Sequence, residues 1–574
     1  MSRLRFLSAV VFAAALYGQD RRNVDVPNTD TQFKPAEYAS LEGWQARSRA
    51  LKRQILSAAG LYPLKQRTPP NAQIFGKLDR KDYTIEKVLL ETLPGYYLGG
   101  NLYRPKEKGK YPAVLHPHGH WPYGRLENSA LCSTPTLAIN LARHGFVVFA
   151  YDMVGYTDTV QTPHDFGGSI EALWSFGPLG LQLWNSLRSI DFLQTLDDVD
   201  TEKIAITGAS GGGTQTFLAA AVDERLKASA PVNMVSLIMQ GGSPCENANG
   251  LRIGTTNVEF ASIMAPRPML MVSATGDWTK NMMESEYPAV KKIYELFGKP
   301  DMVEAARFDA PHNYNQDSRE AVYRFLMKQF YPGKEAFRES GVDIEKLQDM
   351  MVLWNYTLPA GAKNYAQIFD WWKENGKTSE LGTLRERMEW VFGAEWPVSV
   401  EGGSGAALSR AGRGDHVPFN FRRGRGEAVL YIHPDGMAAA QKSEKYYGWS
   451  KQQRPILVID AFQTGTAVAK RDESHRHFLT FNHSDDAERV QDILTALKWL
   501  TAQSRTPVPV SLDAEGAAQY WALAAAALVP PPAKVKLGFD PKMGGDDAML
   551  AGVFPVPGLQ WAGGVEALAK MATR

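Results

Sequence analysis

A serine set among closely spaced glycines is the first feature of this sequence that points to chemistry. Residues 208–212 read Gly-Ala-Ser-Gly-Gly, after a short apolar run from Lys203 to Thr207 and before a helical pattern from Gly213 to Val222. Glycines at such a strand-to-helix turn permit a tight bend and leave the serine hydroxyl exposed at the carboxyl end of a sheet. The pattern predicts that Ser210 is a nucleophile. The alternative is a glycine-rich turn that only joins the strand to the helix. A phosphate-binding loop is disfavoured because no Lys-Ser/Thr pair follows the glycines.

A serine hydroxyl needs a base, and the base needs a carboxylate that orients it. Asp277 closely follows the apolar run Pro268 to Ser273, and His312 lies just before a final helical stretch. We therefore predict that His312 is the base and that Asp277 orients it. Asp301 and Asp309 are rival acids, but neither directly follows a strongly apolar strand.

Alternating histidines at His116, His118 and His120 invite comparison with a metal site. Zinc would need further ligands at suitable spacing, and neither an Asp-His continuation nor a cysteine pair is present. We therefore expect no metal and no cofactor. The segment is better interpreted as an oxyanion loop, in which the backbone N–H groups of His120 and Gly211 hold the negative oxygen of the transition state.

Apolar runs separated by helical patterns must position these residues. Runs rich in branched side chains cover Tyr111 to His116, Gly145 to Tyr151, Lys203 to Thr207 and Pro268 to Ser273. Continuous apolar strands are typical of a parallel sheet buried on both faces. The order predicts an α/β fold with a doubly wound, mostly parallel sheet, within a catalytic domain at residues 19–333.

The second part of the chain repeats the first in order. Three segments find a counterpart: Ala113 to Gly119 in Val429 to Gly436, Val147 to Asp152 in Ile456 to Asp460, and Thr207 to Gly213 in Leu512 to Ala518. We predict a helical connector at 334–400 and a truncated, degenerate hydrolase-like domain at 401–574, which packs on the first domain. Glu515 aligns with Ser210, so we expect the second copy to be inactive. The alternative to a duplicated domain is that the matches reflect only the general resemblance between α/β folds.

Residues 36–333 resemble an α/β-hydrolase of the esterase kind, similar to the acetylxylan esterase and dienelactone hydrolase group. The resemblance rests on the turn around Ser210, on the order Ser210, Asp277, His312, and on Asp152 with Gly155, which resembles an Asp-x-x-Gly turn after the fourth strand. It implies an α/β-hydrolase fold and a serine esterase that works through an acyl-enzyme. The chain departs from the acetylxylan esterase pattern, with Met-Val-Gly-Tyr at 153–156 where that family tends to have Arg-Gly-Gln-Gly, and Asn313 where it has Glu. A glucuronoyl esterase would have Arg in place of Gly211.

Composition and the N-terminus bear on location and partners. Arg3 and Arg5 precede an apolar run from Phe6 to Tyr17, which predicts a signal peptide at 1–18 and a secreted or periplasmic protein, with an uncleaved anchor as the alternative. A formal charge of +1 disfavours nucleic acid or an anionic membrane as partner. Cys132 and Cys245 could bridge or remain free thiols.

Taken with the candidate triad, these features predict an exported esterase acting on carboxylic esters of polysaccharide. Trp121, Tyr123 and Trp174 are candidate substrate contacts because flat rings stack on sugars, although ordinary packing explains each of them equally well. The alternatives are a prolyl-oligopeptidase-like peptidase and a carbohydrate-binding or scaffold protein that kept the fold without turnover.

Overall fold

The computed structural model describes residues 19–64, 67–402, 407–503 and 509–573, so the predicted signal peptide at 1–18 lies outside the described residues. Two compact units are present. The first unit consists of Thr29–Gly167 and Ser175–Asn375. The second unit consists of the described parts of Met1–Asn28, Gly168–Trp174 and Gly376–Arg574. The segment expected as a connector, residues 334–400, is thus divided between the two units, and the predicted domain boundaries remain predictions.

The first unit contains a nine-stranded sheet. Its strands are β1 (Asn71–Asp79), β2 (Tyr83–Leu93), β3 (Tyr96–Pro105), β4 (Tyr111–Pro117), β5 (Val147–Tyr151), β6 (Val199–Ala209), β7 (Leu226–Val232), β8 (Met269–Gly276) and β9 (Val303–Pro311). Their order is β1-β2-β3-β5-β4-β6-β7-β8-β9. The pairs from β1 to β5 are antiparallel and all later neighbours are parallel. The four apolar runs of the sequence fall on β4, β5, β6 and β8, as buried parallel strands require.

Helices accompany these strands in the first unit. They are Leu41–Ala58, Thr134–Arg143, Pro178–Leu193, Gly211–Val222, Asn257–Ser262, Glu286–Leu296, Gln316–Phe330, Leu347–Met350 and Tyr365–Gly376, whose last residue is assigned to the second unit. The short helices Arg21–Val24 and Ser169–Leu173 belong to the second unit. Short 3₁₀ turns lie at Gly124–Leu126, Pro244–Glu246 and Pro300–Met302. Side chains fix several helix starts: the Ser133 hydroxyl accepts from the N–H of Thr136, and Asn315 caps the helix that follows it. None of the described helices is both long and apolar enough to span a bilayer.

The second unit contains a seven-stranded sheet with the same plan. Its strands are β10 (Val400–Gly402), β11 (Ala407–Arg410), β12 (Val417–Arg422), β13 (Val429–Ile432), β14 (Ile456–Ile459), β15 (Val510–Ala514) and β16 (Val535–Leu537), in the order β10-β11-β12-β14-β13-β15-β16. This order repeats that of β1 to β7, including the change from antiparallel to parallel pairing. The predicted fold class, an α/β-hydrolase fold followed by a truncated hydrolase-like domain, is confirmed.

Helices of the second half accompany this sheet. They are Leu381–Phe392, Met437–Ala440, Glu444–Lys451, Phe478–Phe481, Asp485–Ala502, Ala518–Leu528, Asp547–Val553 and Gly564–Ala572, with a 3₁₀ turn at Gly465–Ala467. Within the described residues, no strand of this sheet corresponds to β8 or β9.

Strand register corrects one detail of the predicted repeat. Leu115 pairs with Ile206 in the first sheet, and Ile432 pairs with Ala514 in the second. Leu115 and Ile432 each directly precede a His-Pro dipeptide, so these two residues occupy equivalent positions in their sheets. Their partners Ile206 and Ala514 are then equivalent, and so are the next residues, Thr207 and Glu515. The prediction that Glu515 occupies the place of Ser210 is therefore wrong. Ser210 caps the helix that follows β6, and the corresponding cap after β15 is Ala517, which has no hydroxyl.

A buried ion cluster holds the chain that follows β5. Arg125 is fully buried and pairs with both Asp152 and Asp158, while its Nε donates to Asn101 at 2.8 Å. Asp158 also accepts the backbone N–H of Val352 at 2.8 Å. Because both carboxylates pair with the same guanidinium, removal of Arg125 would leave two buried carboxylates without a cation.

We therefore expect Arg125→Ala to lower the free energy of unfolding by about 3–5 kcal/mol, since it leaves two buried carboxylates without their cation. Arg80→Ala is the matched control, because Arg80 pairs with Glu345 at 2.6 Å but its side chain is 38 % exposed, and exposed pairs contribute less than about 1 kcal/mol. Denaturant unfolding measures both variants. Equal losses would contradict the role given to the buried cluster.

Candidate active site

Ser210 lies on a strained turn between β6 and the helix Gly211–Val222. Its backbone has φ 59° and ψ −127°, in a region that non-glycine residues rarely adopt, and its N–H donates to the carbonyl of Val232 at 3.1 Å. The residue is 9 % exposed. Strain of this kind at the end of a central parallel strand is what a nucleophile elbow requires.

Neighbouring glycines let the chain after β4 pack directly against this turn. A Cβ atom on Gly208 or Gly212 would lie 2.3 or 2.2 Å from the carbonyl oxygen of Pro117, and one on Gly119 would lie 3.1 Å from the Cβ of Ser210. These distances leave no room for a side chain. The segment that was expected to form the oxyanion loop therefore lies beside the nucleophile.

The two predicted oxyanion residues are close together. A Cβ atom on Gly211 would lie 2.6 Å from Cε1 of His120. Gly211 is also the first residue of its helix, where backbone N–H groups have no intrahelical acceptor. The arrangement is compatible with two N–H donors for an oxyanion, and that role for Gly211 and His120 stays a prediction.

Asp277 and His312 form a hydrogen-bonded pair. Oδ2 of Asp277 accepts from Nδ1 of His312 at 2.8 Å, and the aspartate side chain is only 1 % exposed. The backbone N–H of Thr279 donates to the other carboxylate oxygen at 2.7 Å, which fixes the orientation of Asp277. Nε2 of His312 is buried and has no hydrogen-bond partner among the described residues. It is therefore available to take a proton.

The parallel sheet brings Ser210 to the same edge as this pair. Ser210, Asp277 and His312 each directly follow the last residue of a strand, β6, β8 and β9 respectively, and these strands are parallel. The rival acid Asp309 is exposed and accepts from the Thr275 hydroxyl. The structure thus pairs His312 with Asp277, and the catalytic roles of the three residues stay predictions.

The predicted aromatic contacts have different locations. Trp121 is half-buried and stacks on the ring of His312, with centroids 5.9 Å apart, whereas Tyr123 is 58 % exposed. Trp174 belongs to the second unit, is 8 % exposed, and donates its indole N–H to Asp547 at 2.9 Å. Its expected contact with the substrate stays a prediction. Sequence reasoning missed Trp278, whose ring lies 4.4 Å from that of His312 and which directly follows Asp277 in the sequence.

Two of the clustered histidines are structural. Burial lowers the pKa of His116 to about 4 and that of His118 to about 3, so both are neutral near pH 7. His116 Nδ1 donates to the carbonyl of Thr207 at 2.9 Å, and His118 Nε2 accepts the N–H of Met153 at 2.9 Å. Neither ring has a free nitrogen for a metal ion.

The cysteines are free thiols. Cys132 and Cys245 are both buried and unbridged. The disulfide that the sequence left open is therefore absent.

Comparison with known proteins shows similarity to hydrolases. Residues 95–293 match the X-Pro dipeptidyl-peptidase (S15) family. "Putative hydrolase YtaP" of Bacillus subtilis (strain 168) is 25% identical over 302 residues, which cover 48% of this chain and 98% of that protein. The solved structure of "Methylesterase BT1017" is 30% identical, with a TM-score of 0.52, and the match covers 58% of this chain and 75% of that chain.

These findings, with the fold and the strained turn, define a hydrolase. The chain belongs to the α/β-hydrolase superfamily.

We expect Asp277→Asn to lower kcat on an ester substrate by about 10⁴-fold, because an amide cannot hold the imidazole in the required tautomer. Asp309→Asn serves as the matched control and should change kcat by less than about threefold, since Asp309 is exposed and does not contact His312. Steady-state kinetics measures both. A larger loss in Asp309→Asn would move the orienting role to that residue.

We expect Gly212→Ala to lower the free energy of unfolding by about 1–3 kcal/mol, because the added methyl group would overlap the Pro117 carbonyl. It should also lower kcat, since relief of the overlap displaces the predicted oxyanion loop. Gly341→Ala is the control, because a Cβ atom there meets nothing within 4 Å. Thermal unfolding and kcat that match those of Gly341→Ala would contradict the close packing described for this turn.

Proposed function

We propose that this protein is an exported serine esterase that hydrolyses methyl esters of carbohydrate carboxylates, with Ser210 as nucleophile. The hydrogen-bonded pair of His312 and Asp277, at the sheet edge that also carries the strained Ser210, is the observation that carries the proposal. The predicted signal peptide is the argument for export. The 30% identity to a methylesterase favours a methyl ester as the substrate.

The reaction begins when His312 takes the hydroxyl proton of Ser210 at Nε2. The serine Oγ then bonds to the ester carbonyl carbon, and the negative oxygen that results accepts hydrogen bonds from the N–H groups of Gly211 and His120. The carbon–oxygen bond to the methoxy group breaks as His312 returns the proton, which releases methanol and leaves the carbohydrate acid bound to Ser210. Water, activated by His312, attacks the acyl-enzyme and frees the acid.

Acetyl esters are the other carbohydrate esters to consider, because the sequence resembles acetylxylan esterases. Two departures from that family's pattern argue against acetyl esters. Residues 153–156 lack the Arg-Gly-Gln-Gly of that family, and Asn313 stands where it has Glu. Both positions adjoin the site, since Met153 donates its N–H to His118 and Asn313 follows the proposed base.

A peptidase is the second candidate function, and the match of residues 95–293 to the X-Pro dipeptidyl-peptidase family favours it. The same triad can cleave an amide, because His312 can donate its proton to a leaving amine in place of a leaving methoxide. The esterase and the peptidase are therefore distinguished by which substrate, an ester or an amide, the protein cleaves faster.

One substrate panel separates these candidates: a methyl-esterified uronate oligosaccharide, acetylated xylan, and an X-Pro anilide. We expect methanol release from the first to show the highest kcat/KM. Ser210→Ala should lower kcat by about 10⁶-fold with an unchanged circular-dichroism spectrum, because it removes the nucleophile without altering the fold. Faster cleavage of the anilide would establish the peptidase, and faster acetate release would establish an acetyl esterase.

A further inference from the structure

Three side chains that can bind a metal meet in the first unit, although they are far apart in the sequence. His120 follows β4, His164 follows β5, and Cys245 lies in the 3₁₀ turn Pro244–Glu246. Nε2 of His120 is 3.2 Å from Nε2 of His164 and 3.2 Å from Sγ of Cys245. All three ligand atoms lie within 4.8 Å of one another. The prediction of no metal rested on residues near His116–His120 in the sequence. The loops that carry His164 and Cys245 played no part in it.

The two separations measured from Nε2 of His120 fit a tetrahedral zinc ion. Zinc binds nitrogen at about 2.0–2.1 Å and sulfur at about 2.3 Å, so a regular tetrahedron separates two nitrogens by about 3.3 Å and nitrogen from sulfur by about 3.6 Å. The observed 3.2 Å separations differ from these values by a few tenths of an ångström. Two imidazoles and one thiolate are ligand types that zinc takes, with the fourth position left to water.

Hydrogen bonds around the cluster also suit a cation. Nδ1 of His164 lies 2.7 Å from the carbonyl oxygen of Val154, which can only accept. The proton of this ring is therefore on Nδ1, and the lone pair is on Nε2, which faces the other two ligands. A metal-binding histidine usually has its second nitrogen fixed in this way. The nearly buried carboxylate of Glu246 lies 3.8 Å from Nδ1 of His120 and adds negative charge beside the cluster.

We propose that His120, His164 and Cys245 bind one Zn²⁺ ion, which cross-links three loops of the first unit. One of these loops is the segment after β4 that packs on the turn at Ser210. The ion would hold that segment in place. The proposal concerns metal binding, and it stands or falls independently of the substrate.

Full-length protein, stripped with a chelator and titrated with Zn²⁺ against a chromophoric competitor, tests the site. We expect one Zn²⁺ ion per chain. Cys245→Ser and His164→Ala should each weaken Zn²⁺ binding by more than about 100-fold, because the loss of a residue that only supports a ligand typically costs about 10–100-fold. Cys132→Ser is the matched control, because Cys132 is an equally buried free thiol outside the cluster, and it should bind as the wild type does. Ser210→Ala should also retain the ion, which separates this site from the proposed hydrolysis.

Cobalt provides a spectroscopic readout of the same site. The Co²⁺-loaded wild type should show the visible bands of a tetrahedral ion and a sulfur-to-cobalt charge-transfer band, and the latter should vanish in Cys245→Ser. Wild-type protein that binds well below one Zn²⁺ per chain would overturn the proposal and leave a metal-free hydrogen bond between the two histidines. Affinity that is unchanged in Cys245→Ser, or a cobalt spectrum without a sulfur band, would overturn it equally.

Discussion

Contact between the turn at Ser210 and the chain that leaves β4 is the constraint on which the rest of the site depends. Glycines at 208 and 212 are required because a Cβ atom at either would lie little more than 2 Å from the Pro117 carbonyl. The same contact holds Ser210 at positive φ at the end of β6, the neighbour of β4 in the sheet. Burial of these two strands stabilises the fold enough to maintain such strain at one residue. The proposed nucleophile and oxyanion loop therefore form a single packed unit.

The second sheet shows what happens when this contact is relaxed. Its strand order repeats that of β1 to β7, so the fold persists without a catalytic turn. After β15 the residue with positive φ is Gly516, and the helix cap is Ala517. A glycine adopts this conformation without strain, and neither residue offers a nucleophile. Within the described part of the chain, this sheet has no strand to carry an acid or a base in the places of Asp277 and His312. Its inactivity remains a prediction that these features support.

Local sequence patterns predict the strands and the candidate triad, but they do not show which distant loops meet. Apolar runs identified the central parallel strands, because a strand that is buried on both faces consists mostly of apolar residues. Asp277 could be chosen because it closely follows an apolar strand, and His312 because it precedes the last helical stretch and completes the order Ser210, Asp277, His312. No local pattern indicates that the segment carrying Trp174 belongs to the second unit. The cluster of His120, His164 and Cys245 could not be seen, since three loops supply it. The register of Glu515 was wrong because alignment by residue type cannot detect a changed turn length.

The central claim is that Ser210 is the activated nucleophile of an esterase. Reaction of the full-length protein with a fluorophosphonate tests it most directly, because an activated serine Oγ displaces fluoride and forms a stable bond to phosphorus. Peptide mass spectrometry locates the adduct while methanol release from a methyl-esterified uronate is followed in parallel. The account predicts one adduct per chain, on Ser210, and loss of activity in proportion to labelling. Activity that survives complete labelling of Ser210, or that disappears with labelling of another residue alone, would contradict it.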